Sequence, residues 1–297
     1  MRLSLGQREA LWAYAFLALP LAFFLYFRIL PAFQALWLSL YEWHADPALR
    51  KFVGLAHYAR LLEDPLFRKG LLNTFLYALL GVPAQLFFGL GLALLLQRTP
   101  VARDFFRAVY FAPYVTPTVA VAWVWSWMLS PHFGLVNELL GLLGIPPQPF
   151  LQSPRQALPT VTWVVVWQNL GFQVVLFLAG LESIPRQYYE AARIDGAEGW
   201  RLFRHITWPL LNPVLVFSAV IATIGYLQLF TQVVNLNFTD QGGPLNSTLT
   251  LALYIYQLAF LRFQLGYAAA VTAVLFAMIL GITLIQLRVL SRRTETE

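Results

Sequence analysis

Two sets of polar side chains in this 297-residue sequence are spaced so that they could do chemistry. One is a dense run of charge: Arg186, Glu190, Arg193, Asp195, Glu198, Arg201 and Arg204 all fall within "RQYYEAARIDGAEGWRLFR". The other is a scatter of amides, hydroxyls and rings inside two apolar runs, with Trp163, Trp167, Gln168, Asn169 and Gln173 in the first and Thr223, Tyr226, Gln228, Thr231 and Gln232 in the second. The charged run suits charge-assisted contacts with another protein. The amides and rings suit an uncharged polyol, which takes hydrogen bonds on its hydroxyls and a ring face on its carbons; amides and hydroxyls in membrane helices also serve simply to bind neighbouring helices. Other chemistries find no footing. There is no cysteine, so disulfides, thiolate catalysis and cysteine metal sites are excluded together. His44, His57, His132 and His205 lack metal-ligand spacing. No G-x-x-x-x-G-K-[ST] phosphate loop is present, so ATP is not hydrolysed on this chain. No serine and carboxylate constellation suggests an embedded hydrolase.

The elements that must position these residues are membrane helices. The chain is 59% hydrophobic and 11% charged, against about 25% charged in soluble proteins, and its mean hydropathy is +0.63. A hydrocarbon core of about 30 Å needs about 20 apolar residues of helix. Charge-poor runs predict six spans at approximately 10–40, 71–97, 106–130, 158–182, 210–234 and 264–288. The run from Gln241 to Leu261 opens with polar "QGGPLNST", and its apolar piece, Leu249–Leu261, is too short to cross; it reads as an extramembrane or re-entrant helix. The N-terminus has the basic flank of a signal peptide but no small-residue cleavage site, and reads as an uncleaved first span. No Asp or Glu falls in the middle of a run, which counts against the main alternative, an ion-coupled secondary solute transporter.

Basic residues set the orientation. Arg2, Arg8, Arg98, Arg103, Arg107, Arg186, Arg193, Arg201, Arg204, Arg288, Arg292 and Arg293 flank the spans on one side. On the other are Arg28, Arg50, Lys51, Arg60, Arg68, Lys69, Arg155 and Arg262, five of them in the single loop 42–69 beside four acids. The positive-inside rule then places both termini and the charged stretch in the cytoplasm. The net charge of +6 is accordingly a signature of membrane topology, and no nucleic-acid partner is expected. Without an internal repeat or low-complexity tract, residues 1–297 read as a single transmembrane domain.

Each charge at the bilayer centre costs about 2.5–3.5 kcal/mol, so seven would cost on the order of 20 kcal/mol in lipid. They must face water or another protein. A solvated loop, with Glu190 paired to Arg186 and Arg193 and Glu198 to Arg201, would satisfy the charge. It leaves Tyr188, Tyr189, Ile194, Trp200, Leu202, Phe203 and Ile206 unexplained, since an apolar patch with a polar rim is what a docking surface looks like. Residues 183–209 predict helix, turn, helix: Ser183 as cap, Pro185 in the first turn, Gly196 at the turn, and Pro209 and Pro213 forcing a fresh start into span five.

The segment "EAARIDGAEGWRLFRHITWP" resembles the EAA motif of ABC-importer permeases, with Glu190, Ala191, Ala192, Gly196, Ile206 and Pro209 at the required positions and Trp208 replacing the usual leucine. "FVGLAHYARLLEDPLF", "NTFLYAL", "FRAVYFAPYV", "GLESIP", "GGPLNSTLTLALYIYQLAF" and "GYAAAVTAVLF" look like the carbohydrate branch, of the maltose and glycerol-3-phosphate type. The resemblance implies an all-α membrane protein of the type I importer fold, with six transmembrane helices and a cytoplasmic helix-turn-helix coupling loop at 183–209. It implies that Glu190, Ala191, Ala192, Asp195 and Gly196 engage a separate ATPase, that ATP and Mg belong to two such cytoplasmic subunits, and that this chain carries no cofactor. It further implies a second homologous permease subunit, an extracytoplasmic solute-binding protein, residence in the cytoplasmic (inner) membrane and import by alternating access. The solute site is expected near mid-bilayer on spans four and five, at Gln168, Asn169, Gln173, Tyr226 and Gln228. Outer segments 144–156 and 240–250 are candidate docking surfaces for the binding protein. Because the span interiors hold no fixed cations, a neutral oligosaccharide is expected rather than glycerol-3-phosphate.

Overall fold

The computed structural model describes residues 4–44, 46–97, 103–237 and 240–291. Of the basic residues counted for orientation, Arg2, Arg98, Arg292 and Arg293 lie outside the described residues. Among the described residues the regular structure is helical apart from a two-stranded antiparallel ribbon, β1 (Tyr41–Glu42) against β2 (Lys51–Phe52). Among them, five helices are long and apolar enough to cross a membrane, or six if one bent pair counts as a span. By packing, the chain divides into two compact units, Met1–Glu63 with Ile255–Val274, and Asp64–Tyr254 with Leu275–Glu297.

The first unit holds α1 (Leu5–Phe24), α2 (Leu30–Leu38), the β-ribbon and α3 (Ala56–Glu63). None of the apolar window of Leu11–Leu38 is buried by its own unit. His57 Nε2 lies 3.1 Å from the Tyr41 carbonyl oxygen, Ser39 Oγ lies 2.7 Å from the Tyr58 hydroxyl, and the Arg60 guanidinium sits 4.3 Å over the Tyr267 ring.

The second unit carries the site. Its spine is α4 (Pro65–Gln97), 33 residues and therefore about 50 Å long. Asp64 caps it, its Oδ1 accepting from the N–H groups of Leu66 and Phe67, while Pro65 occupies the first turn where no donor is needed. Packed on α4 are α8 (Ala157–Ser183) and α11 (Trp208–Leu227), and α5 (Arg103–Val115) packs on α8. Leu90, Ala93, Leu96, Val174, Phe177, Leu178, Leu181 and Leu211 form a core between the first three. Lipid removes most of the hydrophobic drive between membrane helices, so close approach at small residues matters more. A Cβ at Gly171 would run into the backbone of Tyr110, so α5 meets α8 only because that residue is glycine.

The elements differ from the sequence reading at four places, three involving proline. The expected span 106–130 is two helices, α5 and α6 (Thr118–Met128), bent by 97°. Pro117 lacks the N–H that would continue α5 and takes the extended φ, ψ of −52°, 125° at the start of α6. The expected restart at Pro209 is absent. Helix runs unbroken from α10 (Gly199–Leu202) through a π turn at Phe203–Thr207 into α11, giving a span of Gly199–Leu227. The Trp208 N–H reaches back to the Phe203 carbonyl, and the widened turn leaves room for the proline ring that follows. The first span does the same at Leu25–Ile29, where Leu30 bonds to Leu25 just ahead of Pro31. Span five also ends earlier than 234: Gln228 closes α11, and α12 (Thr231–Leu236) is a separate helix. Lastly, Ser183 is not a cap. It ends α8 with its Oγ donating to the Gly180 carbonyl at 2.7 Å, and Pro185 occupies the cap position of the next helix.

Candidate functional site

Concave surfaces of the second unit include two lined in part by α4 and one beside α6. At the C-terminal end of α4, Leu94 and Gln97 meet the charged stretch in a cleft of about 840 Å³. The stretch folds as α9 (Arg186–Ile194), a turn, and α10. Gly196 sits at φ +79° and the Ala197 N–H returns to the Ala192 carbonyl at 2.8 Å, a helix ending that favours glycine. Tyr189 and Thr207 hydroxyls, 3.3 Å apart, tie the two arms together. Arg186, Glu190, Arg193 and Trp200 line the cleft, whereas Ala192 turns inward and is buried. Ala191 and Asp195 are exposed outside it, Asp195 closing α9. Ile194 is 87% exposed and Trp200 69%, so the greasy side of this elbow has no cover from its own chain. Trp200 stacks on Phe203 at 5.2 Å.

Beyond the bend of α6, the two outer segments come together. Leu151 and Gln152 from one, and Asp240 and Pro244 from the other, share a cleft of about 750 Å³ with Trp123, Trp127 and His132. Side-chain amides set both segments. Asn137 exchanges hydrogen bonds with the backbone of Gln148, and Gln156 Oε1 accepts from the Phe150 N–H at 2.9 Å. Asn73 of α4 donates to the carbonyls of Asn246 and Leu249, holding the second segment to the N-terminal part of the spine.

Between these ends lies a cavity of about 250 Å³. Asn169 and Gln173 of α8, Tyr226 of α11, and Gln228, Thr231 and Gln232 after it all contribute to its wall. Two buried polar atoms there have no partner among the described residues: Gln173 Nε2 and the Tyr226 hydroxyl. An unmade buried hydrogen bond costs about 1–3 kcal/mol, so these atoms are poised for a ligand or water. No ionisable carboxylate, guanidinium, ammonium or imidazole is among the described residues of the wall.

Four residues singled out from the sequence fall elsewhere. Gln168 is buried behind the wall, its Nε2 donating to Thr118 Oγ1 at 3.3 Å and its Oε1 accepting from Gln232 Nε2 at 3.4 Å; it holds the wall rather than faces the space. Thr223 accepts from Gln286 Nε2 at 2.7 Å. Trp163 packs edge-on against Phe88 and Trp167 edge-on against Trp125. Conversely, the wall includes Gln85 of α4 and a stacked pair, Tyr114 and Phe172, with centroids 5.0 Å apart. None of the three stood out in the sequence. For Gln85 a signal existed: an amide in an apolar run with glycines four residues to each side, Gly81 and Gly89.

Comparison with known proteins bears on what this arrangement serves. Residues 68–296 match the family described as "Binding-protein-dependent transport system inner membrane component". The lactose transport system permease protein of Rhizobium radiobacter is 36% identical over 291 residues, which is 96% of each chain. The trehalose/maltose transport system permease protein of Thermococcus litoralis is 33% identical over 286 residues, again 96% of each. A chain of the crystal structure of a bacterial alginate ABC transporter, in complex with alginate pentasaccharide-bound periplasmic protein, shares the fold with a TM-score of 0.84 at 24% identity, over 97% of both chains.

Proposed function

This chain belongs to the family of binding-protein-dependent transport system inner membrane components, and from that premise we propose that it passes a neutral sugar or short oligosaccharide inward through the Gln173–Tyr226 cavity. It is a permease subunit of an ABC importer, a transport component rather than an enzyme and not an ion-coupled carrier. The observation that carries the substrate reading is the pair of unpartnered donors, Gln173 Nε2 and the Tyr226 hydroxyl, in a wall whose described residues include no carboxylate, guanidinium, ammonium or imidazole. Such a wall rewards hydroxyl and ring oxygens and gives a phosphate or carboxylate no countercharge. The stacked Tyr114 and Phe172 add a flat apolar surface beside them. At about 250 Å³ the cavity is below the roughly 300–1,000 Å³ of pockets for drug-sized ligands, so a chain of sugars would pass one unit at a time.

The driving force enters at the other end of α11. Of two cytoplasmic ATPase subunits, which hold ATP and Mg, one grips the elbow at 186–207, where Glu190 offers charge and Ile194 and Trp200 offer apolar surface. Because α10 and α11 are one continuous helix, movement of the elbow transmits to Tyr226 without a joint, as alternating access requires. A solute-binding protein docks outside on the cleft shared by segments 144–156 and 240–250, both termini lie in the cytoplasm, and a homologous second permease completes the pathway. The test is uptake of labelled lactose, trehalose, maltose and glycerol-3-phosphate by the assembled importer in liposomes. Uptake of at least one neutral sugar, dependent on ATP and indifferent to ionophores, is expected. Preferential uptake of glycerol-3-phosphate would overturn the substrate reading.

A further inference from the structure

The cavity has a third wall that no site residue so far explains. Gly81, Gln85 and Gly89 recur every four residues on α4 and so share one face of the helix. A Cβ at Gly81 would overlap the Tyr226 ring, and a Cβ at Gly89 would overlap the side chain of Gln173. The two residues with unpartnered polar atoms are therefore each seated in a glycine notch of the same helix. Between the notches, Gln85 Nε2 donates to Gln173 Oε1 at 3.3 Å. Gln85 is 5% exposed and Gln173 1%, so this bond is sheltered from water that would otherwise compete for it.

We propose that Gln85 is a positioning residue that sets the solute selectivity of the cavity, by holding the carbonyl end of the Gln173 amide so that its nitrogen is presented to the solute as a donor. A free glutamine amide can rotate by half a turn and offer donor or acceptor with little change in shape. With its oxygen engaged by Gln85, Gln173 keeps the orientation that leaves its nitrogen unpartnered, and the Tyr226 hydroxyl lines the same cavity. The pair then selects a solute that brings hydrogen-bond acceptors to this side, above all the ring and glycosidic oxygens of a saccharide, which accept and cannot donate. Loss of Gln85 frees the amide to turn, and the preference for acceptors falls while the cavity keeps its volume.

The inference rests on the cavity lying on the solute path, and the experiment separates the two. Uptake of maltose, trehalose and lactose, and of their carba analogues in which one ring oxygen is a methylene, is measured with the assembled importer carrying Gln85→Leu, Gln85→Met, Gln173→Leu or Gln85→Leu with Gln173→Leu. Subunit co-purification reports assembly for each. In the unsubstituted importer, at least one carba analogue should be taken up about tenfold less efficiently than its parent, a factor of the size one well-made hydrogen bond supplies. Gln85→Leu and Gln85→Met should reduce the parent to the level of that analogue, mainly through KM, and leave the analogue unchanged. The double variant should be no worse than Gln173→Leu alone, because the two amides act as one unit. Equal loss for parent and analogue in the Gln85 variants would overturn the proposal in favour of a packing role. So would a normal ratio in the Gln85 variants when Gln173→Leu abolishes discrimination. No effect of Gln173→Leu on any sugar would remove the cavity from the path, and this inference with it.

Discussion

At the scale of single residues, the chain separates polar groups that hold the structure from polar groups left waiting. Gln168, Thr223 and Asn73 all have partners in the chain, and each of those bonds fixes one element to another. The Tyr226 hydroxyl and Gln173 Nε2 do not. Tyr226→Phe keeps the ring in its notch at Gly81 and removes only the orphan oxygen. It should therefore leave thermal stability unchanged or slightly raised, within about 1 kcal/mol, while raising the KM for a neutral sugar severalfold. Thermal unfolding of the purified subunit complex and initial uptake rates are the two measurements. Gly81→Leu should do the reverse and damage folding first, since overpacking of a close helix contact costs about 1–3 kcal/mol; loss of folded protein in size-exclusion chromatography would report it. Whether Gln168 or Gln173 faced the cavity was not legible in the sequence. The two are five residues apart on one helix, and only the positions of α4, α6 and α12 decide which side of α8 is open.

At the scale of elements, the charged elbow was the most legible part of the chain, because seven charges cannot enter lipid and an apolar stripe among them needs cover. What proline would do there was not. Pro209 predicts a break, and the helix instead widens into a π turn and continues. Pro209→Ala removes the reason for that wider turn. Relaxation to ordinary α geometry would rotate α10 by about 100° relative to α11, one residue's worth of helix, and carry Trp200 away from α9. Helical content by circular dichroism should stay the same, while ATP-driven uptake falls at least tenfold. Gly196 has nothing near a Cβ, so its requirement is conformational alone, through φ +79°. Gly196→Pro and Glu190→Lys should each leave the chain inserted in the membrane but prevent co-purification of the ATPase. Normal recovery of that subunit with both variants would count against the elbow as its grip.

At the scale of the molecule, α4 relates three surfaces: the elbow at one end, the outer segments near the other and the polar cavity between. The Gln85 position is about 18 Å along the helix from Gln97, far enough for the cavity to be shielded from the elbow's water. The proposed orientation can be read directly because the chain has no cysteine. Ile194→Cys, at 87% exposure, and Leu142→Cys, at 83%, introduce single thiols on the elbow and the outer loops. A membrane-impermeant maleimide applied to intact cells should label Leu142→Cys, and Ile194→Cys only after permeabilisation; the opposite pattern would invert the topology.

Composition and spacing by themselves determined that this chain lives in a membrane and roughly where it crosses, and they made residues 186–204 the candidate docking elbow. All of these follow from transfer energies and local backbone chemistry, which depend on a residue and its near neighbours. The tertiary structure decided the bend between α5 and α6, the unbroken run from α10 into α11 and the membership of the cavity wall. Those outcomes depend on which helix face lies against which, and in lipid that choice is made by close packing at glycines such as Gly81, Gly89 and Gly171, a steric match between distant segments that no local pattern encodes.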